Sequence, residues 1–223
     1  MCIIVYKPKS QALPSKDILK QCFERNADGC GYTFTINNKV AIKKGYFDFD
    51  KFYKDVTADF EKYHLFDKNL IMHFRISTSI AVNEYKTHPF ALTSQKEHIE
   101  HKNIFCGCSV VHNGVLWDYE KKNGYTDTQN FIIDYLSPLL AQFKYDFNNK
   151  LLQHIIKSEL KTSKICVLKY NDEVLKVGDF IKDNGIYYSN ASYKPYKPIY
   201  EPSRYKQASI YNYNYNNGLR WYD

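Results

Sequence analysis

No stretch of the 223-residue chain approaches the run of about 20 apolar residues that a membrane-spanning helix requires. The amino terminus, MCIIVYKPKS, also lacks the basic segment that precedes a signal-peptide core, and its apolar run from Cys2 to Tyr6 is too short to be one. These two absences predict a soluble protein that is not exported by a cleaved signal and has no membrane partner. Cysteine is sparse. The six thiols, Cys2, Cys22, Cys30, Cys106, Cys108 and Cys166, are scattered, which reads as reduced cysteines rather than a disulfide framework. Cys106, Cys108 and His112 lie close in sequence, but no convincing fourth ligand stands nearby, and no metal is expected. Residues two apart on one strand share a face, and small thiols are common in cores. Strong charge of one sign is missing as well. The net charge is +7 with lysines spread along the whole chain, whereas a nucleic-acid surface needs them clustered on one face, so no nucleic-acid partner is expected. No internal repeat is visible.

What is present is a chain with 44% hydrophobic residues, enough to bury a sizeable core. Its richness in Lys, Asn, Ile and Tyr together points to an AT-rich coding bias, phage or bacterial. Cys2–Lys7 reads as a short buried strand. Pro14-Ser15 opens a helix that places Ile18, Leu19, Cys22 and Phe23 at helical spacing. Asn26–Gly31 is a turn-rich loop, and Tyr32–Ile36 and Lys39–Lys43 form a hairpin around Asn37-Asn38. Asp50–Tyr63 is amphipathic, with Phe52, Tyr53, Val56 and Phe60 facing inward. Asn69–Ile76 and Ile104–His112 read as strands. Thr126 and Gln129 make a capping box ahead of the apolar run Phe131–Leu140, with Pro138 starting a second segment or marking a kink. Asn148–Glu159 is a helix, and Ser163–Tyr170, Glu173–Phe180 and Gly185–Ser189 are strands. This order predicts a mixed α/β (α+β) domain over residues 1–192 with sheets between helical layers. From Tyr193 to Asp223 the chain is rich in Tyr, Asn, Pro and Lys and poor in aliphatics, which reads as an extended C-terminal tail ordered against a protein partner.

One feature of the terminus carries chemistry. Cys2 follows Met1, and methionine aminopeptidases remove Met1 when the next side chain is small. Cys2 then holds a thiol and a free α-amine with a pKa near ~8, so nucleophile and base sit on one residue. Four later segments accompany it: NADGCG (Asn26–Gly31), HFRIST (His73–Thr78), THPF with VVHNGVL (Thr87–Phe90, Val110–Leu116) and TDTQ (Thr126–Gln129). With these in this order, and with the late GIYYSNASY stretch, residues Met1–Tyr193 resemble the class II glutamine amidotransferases, in particular the small stand-alone members. The resemblance implies a four-layer αββα N-terminal-nucleophile hydrolase sandwich of two mostly antiparallel sheets. It implies that Cys2 attacks the side-chain amide of glutamine or a related γ-glutamyl amide, and that Asn113 and the Gly114 N–H form an oxyanion hole. Arg75 is implied to bind the substrate carboxylate and Asp127 its ammonium, and no cofactor is implied. Two departures stand out: Ile3 follows the cysteine where many members have Gly, and Gln129 stands where the better-known enzymes have Glu.

Each of these residues also has a plainer role. Asn113-Gly114 is a common turn dipeptide. Arg75 in an apolar strand needs either an ion-pair partner or a ligand. Asp127 beside the cap Thr126 suits a helix N-terminus. Asp28 is expected with Arg75 and Asp127 among the substrate-binding residues, although Asp28-Gly29 is equally readable as an ordinary turn, and His73 and His88 order loops or core. The chain leaves no room for a synthase domain. The enzyme expected is therefore an amidohydrolase, or an ammonia donor to a separate acceptor subunit, in the cytoplasm of a bacterium or a phage-infected host. The alternative is a silent scaffold, including a virion component that uses the tail for assembly.

Overall fold

The computed structural model describes residues 2–77, 82–119 and 124–195. The expected tail lies outside the described residues from residue 196 on, as does Thr78 at the end of HFRIST. The strands are β1 (Ile3–Lys7), β2 (Cys30–Ile36), β3 (Lys39–Tyr46), β4 (Leu70–Phe74), β5 (Phe90–Ala91), β6 (Asn103–Cys106), β7 (Cys108–Asn113), β8 (Lys164–Lys169), β9 (Val174–Val177), β10 (Ile181–Asp183) and β11 (Ile186–Tyr188). The helices are α1 (Lys16–Glu24), α2 (Phe49–Lys62), α3 (Lys96–Ile99), α4 (Asp127–Phe131), α5 (Ser137–Gln142) and α6 (Lys150–Leu160).

Strands assemble into a seven-stranded sheet, ordered β10-β11-β1-β4-β2-β3-β6, and a four-stranded sheet, ordered β5-β7-β8-β9. Every strand pairing is antiparallel. Three apolar clusters define the layers. Leu19 and Cys22 of α1 and Phe52 and Val56 of α2 pack on one face of the large sheet, against Ile3, Val5, Met72 and Phe74. Phe131, Leu140, Leu152 and Ile156 cover the outer face of the small sheet, against Val110, Ile165 and Val167. Between the sheets lie Ile4, Val40, Ile71, Val111, Cys166 and Leu168. The period-two alternation of a strand explains this split, because Ile3 and Val5 face the helices while Ile4 faces the other sheet. The result is the four-layer αββα sandwich expected from the sequence.

Local sequence sets the helix ends. Ser15 caps α1 by accepting from the Ile18 N–H, and Asp48 caps α2 by accepting from the Lys51 N–H. Thr126 and Gln129 make the reciprocal capping box. Pro138 falls in the first turn of α5, after a π-helical turn Ile132–Leu136 in which the Ser137 N–H reaches the Ile132 carbonyl. Tyr193 belongs to the packed body: it stacks on Tyr188 with ring centroids 3.7 Å apart, and its hydroxyl donates to Asp183 at 2.8 Å.

One expectation is corrected. Ile104–His112 is not a single strand. It breaks at Gly107, with β6 on the edge of the large sheet beside β3 and β7 in the small sheet between β5 and β8. Cys106 and Cys108 therefore belong to different sheets, and spacing two apart does not put them on one face. Their apolar continuity hides the break: β6 is exposed or half-buried at every position although Ile104 and Phe105 read as core, β7 is buried throughout, and only the glycine between them marks the change of sheet. Strands β5 and β10 and helix α3, each four residues or fewer, carry no periodic signal of their own.

Candidate active site

The inward-facing rows of the two sheets change character along their length. On β4 and just past it the row runs Ile71, His73, Arg75. On β1 and just before it the row runs Ile4, Cys2. On β7 it runs Val111, Asn113, and on β8 it runs Leu168, Cys166, Lys164. Registers Ile4↔His73, Val111↔Cys166 and Asn113↔Lys164 keep these rows side by side. The apolar members fill one end of the space between the sheets. The polar members converge at the other, on a cavity of about 600 Å³ lined by Cys2, Arg75, Asn113, Gly114, Asp127 and Lys164 among others.

Cys2 is a half-buried member of the cavity lining. Its Sγ lies 3.4 Å from the Ile76 N–H donor and 3.5 Å from the Ile76 carbonyl. Burial raises the thiol pKa above its ordinary value, while the Ile76 backbone and the nearby Arg75 charge pull it back. The Cys2 carbonyl accepts from Asn190 Nδ2 at 2.7 Å.

Arg75 is only 7% exposed, and burial lowers its pKa, opposed by the charges of Cys2, Asp28 and Asp127. Its Nη2 donates to Ser77 Oγ at 3.0 Å, but its Nη1 is buried with no partner. Asp28 is not among the cavity-lining residues. Its carboxylate accepts from the Ser77 N–H at 2.6 Å, its own N–H donates to the Arg75 carbonyl at 2.9 Å, and the Arg75 N–H donates to the Gly29 carbonyl. In this structure Asp28 thus holds the loop that carries Arg75. Asp127 is the first residue of α4 and accepts from the Leu116 N–H at 3.0 Å.

Asn113 ends β7. Its Nδ2 donates to Ser189 Oγ at 2.8 Å, and its buried Oδ1 has no partner. Gly114 follows with φ +149°, and a Cβ there would come within 2.1 Å of Ser163 Oγ, so only glycine fits this corner. Beside it is a buried histidine group. His73 packs against His88 in a tilted arrangement with ring centroids 4.1 Å apart, and its Nε2 lies 2.9 Å from the His112 carbonyl. Since a carbonyl only accepts, His73 Nε2 is the donor. His112 Nδ1 lies 2.8 Å from Thr128 Oγ1. Burial drives the His73 pKa down to about 3 and that of His112 to about 4, and holds His88 well below 6.5. All three rings are neutral at pH 7; His73 and His112 each make one ring hydrogen bond, and His88, whose two ring nitrogens are buried without a partner, packs between His73 and Phe90. Gly31 makes room for them, because a Cβ there would meet the His88 carbonyl at 2.4 Å.

Sequence reasoning named Cys2, Arg75, Asn113, Gly114 and Asp127, and the fold brings all five to one cavity. It did not single out Ser189, Asn190, Thr128 or Lys164. Ser189 is fully buried and its Oγ also accepts from the Ile4 N–H at 2.8 Å, while its carbonyl accepts from Lys164 Nζ. The signal for the first two was the late Gly185–Tyr193 stretch, whose polar Ser189-Asn190 pair interrupts an otherwise apolar and aromatic strand end.

No family model matches the chain. A 115-residue segment is 27% identical to a deoxyribodipyrimidine photo-lyase of Buchnera aphidicola subsp. Baizongia pistaciae (strain Bp), covering 48% of this chain and 24% of that protein. Among solved structures, the glutamine phosphoribosylpyrophosphate amidotransferase from B. subtilis, complexed with ADP and GMP, superposes with a TM-score of 0.48 and 16% identity, over 84% of this chain and 41% of that one. The chain spans about a quarter of the one protein and two-fifths of the other. The function proposed below rests on the geometry of the cavity.

Proposed function

We propose that the protein is an N-terminal-nucleophile amidohydrolase of the glutamine-amidotransferase class, with Cys2 as nucleophile. The observation that carries this reading is a pair among the buried, unpartnered polar atoms of the cavity lining, one on Arg75 and one on Asn113. Arg75 Nη1 and Asn113 Oδ1 belong to residues that line the same cavity as Cys2. A buried donor left unbonded costs about 1–3 kcal/mol, so a guanidinium held this way is suited to a ligand carboxylate. The Asn113 carboxamide, turned so that its free N–H faces the cavity, supplies one oxyanion donor, and the Gly114 N–H supplies the other.

The chemistry follows from these positions. Removal of Met1 frees the α-amine of Cys2, which takes the proton that the burial-raised thiol would otherwise keep. The thiolate attacks the γ-amide carbon of a substrate whose carboxylate lies on Arg75 and whose ammonium lies on Asp127. Asn113 and Gly114 hold the oxyanion. The C–N bond breaks, the amine leaves with the proton from Cys2, and a thioester remains. Water then adds to the thioester carbon, the C–S bond breaks, and the thiol is restored. The neutral histidines take no proton in this scheme.

Intact-mass measurement of the native protein should show the loss of Met1, and a glutamine-analogue electrophile should label Cys2. Cys2→Ala should abolish hydrolysis of glutamine and γ-glutamyl amides. Activity that survives this change rules out Cys2 as the nucleophile.

A further inference from the structure

The cavity carries more positive charge than a zwitterionic amino acid needs. Three cations line it, Arg75, Lys86 and Lys164, against one carboxylate, Asp127. The two lining histidines, His88 and His112, are neutral. The reading above uses Arg75 and Asp127 for the glutamyl carboxylate and ammonium, which leaves both lysines in excess. Among the described residues neither Lys86 nor Lys164 has a carboxylate partner. Both are half-buried rather than free in solvent.

Lys164 has a defined place. It pairs with Asn113 across β7 and β8, and directly opposed residues project from the same face of a sheet. Its ammonium donates to the carbonyl of Ser189, the residue whose hydroxyl accepts from Asn113 Nδ2. An ammonium has three donors, and one is satisfied here. Lys164 thus stands next to the oxyanion corner, where the scissile amide lies. The cavity, at about 600 Å³, is of a size that holds ligands well beyond a free amino acid. Trp117, 78% exposed, contributes a flat apolar wall to it.

We propose that the substrate is a γ-glutamyl conjugate whose leaving amine carries an anionic group, the anion being held by Lys164 and Lys86. This rests on the reading of Cys2, Arg75 and Asp127 given above and adds the identity of the leaving side. The amine is an α-amino acid, whose carboxylate carbon sits two bonds from the scissile nitrogen. A free ammonia leaving group makes no use of either lysine.

The test compares γ-glutamylglycine with γ-glutamylglycinamide, which differ only in the terminal charge. With the native protein, kcat/KM for the carboxylate should exceed that for the carboxamide by roughly 10-fold or more, the discrimination expected of a charged hydrogen bond. In Lys164→Met, and more fully in the Lys86→Met/Lys164→Met pair, the ratio should fall towards one. A γ-glutamyl aminomethylphosphonate separates a carboxylate site from a phosphate-type site, and preference for either anion over the carboxamide supports the proposal. Equal rates on the carboxylate, phosphonate and carboxamide overturn it while leaving the amidohydrolase reading intact. Calorimetry on Cys2→Ala decides the same point without catalysis. Tighter binding of γ-glutamylglycine than of its carboxamide supports the anion site even if no conjugate is hydrolysed, whereas equal or undetectable binding of both overturns it.

Discussion

The two ends of the layer between the sheets are built from the same strands and differ in almost every other respect. At one end Ile4, Ile71, Val111 and Leu168 meet side chain to side chain with no exposed surface. Two to four residues further along the same rows stand Cys2, Arg75, Asn113 and Lys164, of which Arg75 and Asn113 carry buried polar atoms that lack partners. Apolar burial contributes on the order of 25 cal/mol per Å², whereas an unsatisfied buried donor costs. One end therefore holds the sheets together, and the other is tolerated because the first exists. A site assembled at the expense of stability is what a binding or reacting centre requires.

The contrast can be broken from either side. Ile71→Ala should remove about 2–5 kcal/mol of stability, read as a lower urea midpoint, without altering kcat per folded molecule. A loss of kcat without a loss of stability would collapse the distinction. Asn113→Ala should do the reverse: kcat should fall by about 10²–10³, equivalent to ~3 kcal/mol in the barrier, with the melting temperature nearly unchanged. Arg75→Met removes a buried charge that has an unpaired donor. Its KM should rise roughly 10- to 100-fold while stability holds or increases, and a clear drop in melting temperature would instead mark Arg75 as structural.

The buried histidines give a smaller, graded effect. In the fold His112 has a pKa of about 4 and His73 of about 3, below the ordinary 6.5. Below pH 6.5 the unfolded chain binds protons that the fold refuses, so stability is full above about 6.5 and declines as pH falls towards 4. Each ring adds up to about 1.4 kcal/mol per pH unit to that slope. Urea titrations at several pH values should show it, and His73→Gln should flatten it. A midpoint that stays constant from pH 7 to pH 4.5 would mean the rings are solvated.

Much of this contrast was legible in the sequence, and the illegible part has a common cause. The helix starts at Ser15 and Thr126 were readable because a cap is a local exchange of hydrogen bonds over three residues. That Cys2, Arg75, Asn113 and Asp127 meet at one cavity was foreshadowed because each sits in a short motif of distinctive chemistry. Asp28, expected to bind substrate, instead lies off the cavity as the acceptor for Ser77, a pairing of two loops 49 residues apart that no local pattern reports. Lys164 falls inside the strand expected over Ser163–Tyr170 with nothing local to single it out, and only the pairing of β8 with β7 sets it beside Asn113. The break at Gly107 went unread because strands on either side of it are both apolar, and periodicity does not report which sheet a strand joins.

The bonds from Asn190 to the Cys2 carbonyl and from the Ile4 N–H to Ser189 span 188 and 185 residues of chain. During synthesis the thiol of Cys2 emerges from the ribosome well ahead of the residues that seat it, which follow more than 180 residues later. Contacts of such length close late, after the intervening chain has ordered. A nascent chain stalled before Ser189 therefore has its cysteine in hand without the surroundings that give it a task, and any truncation there should abolish the cavity rather than merely weaken it.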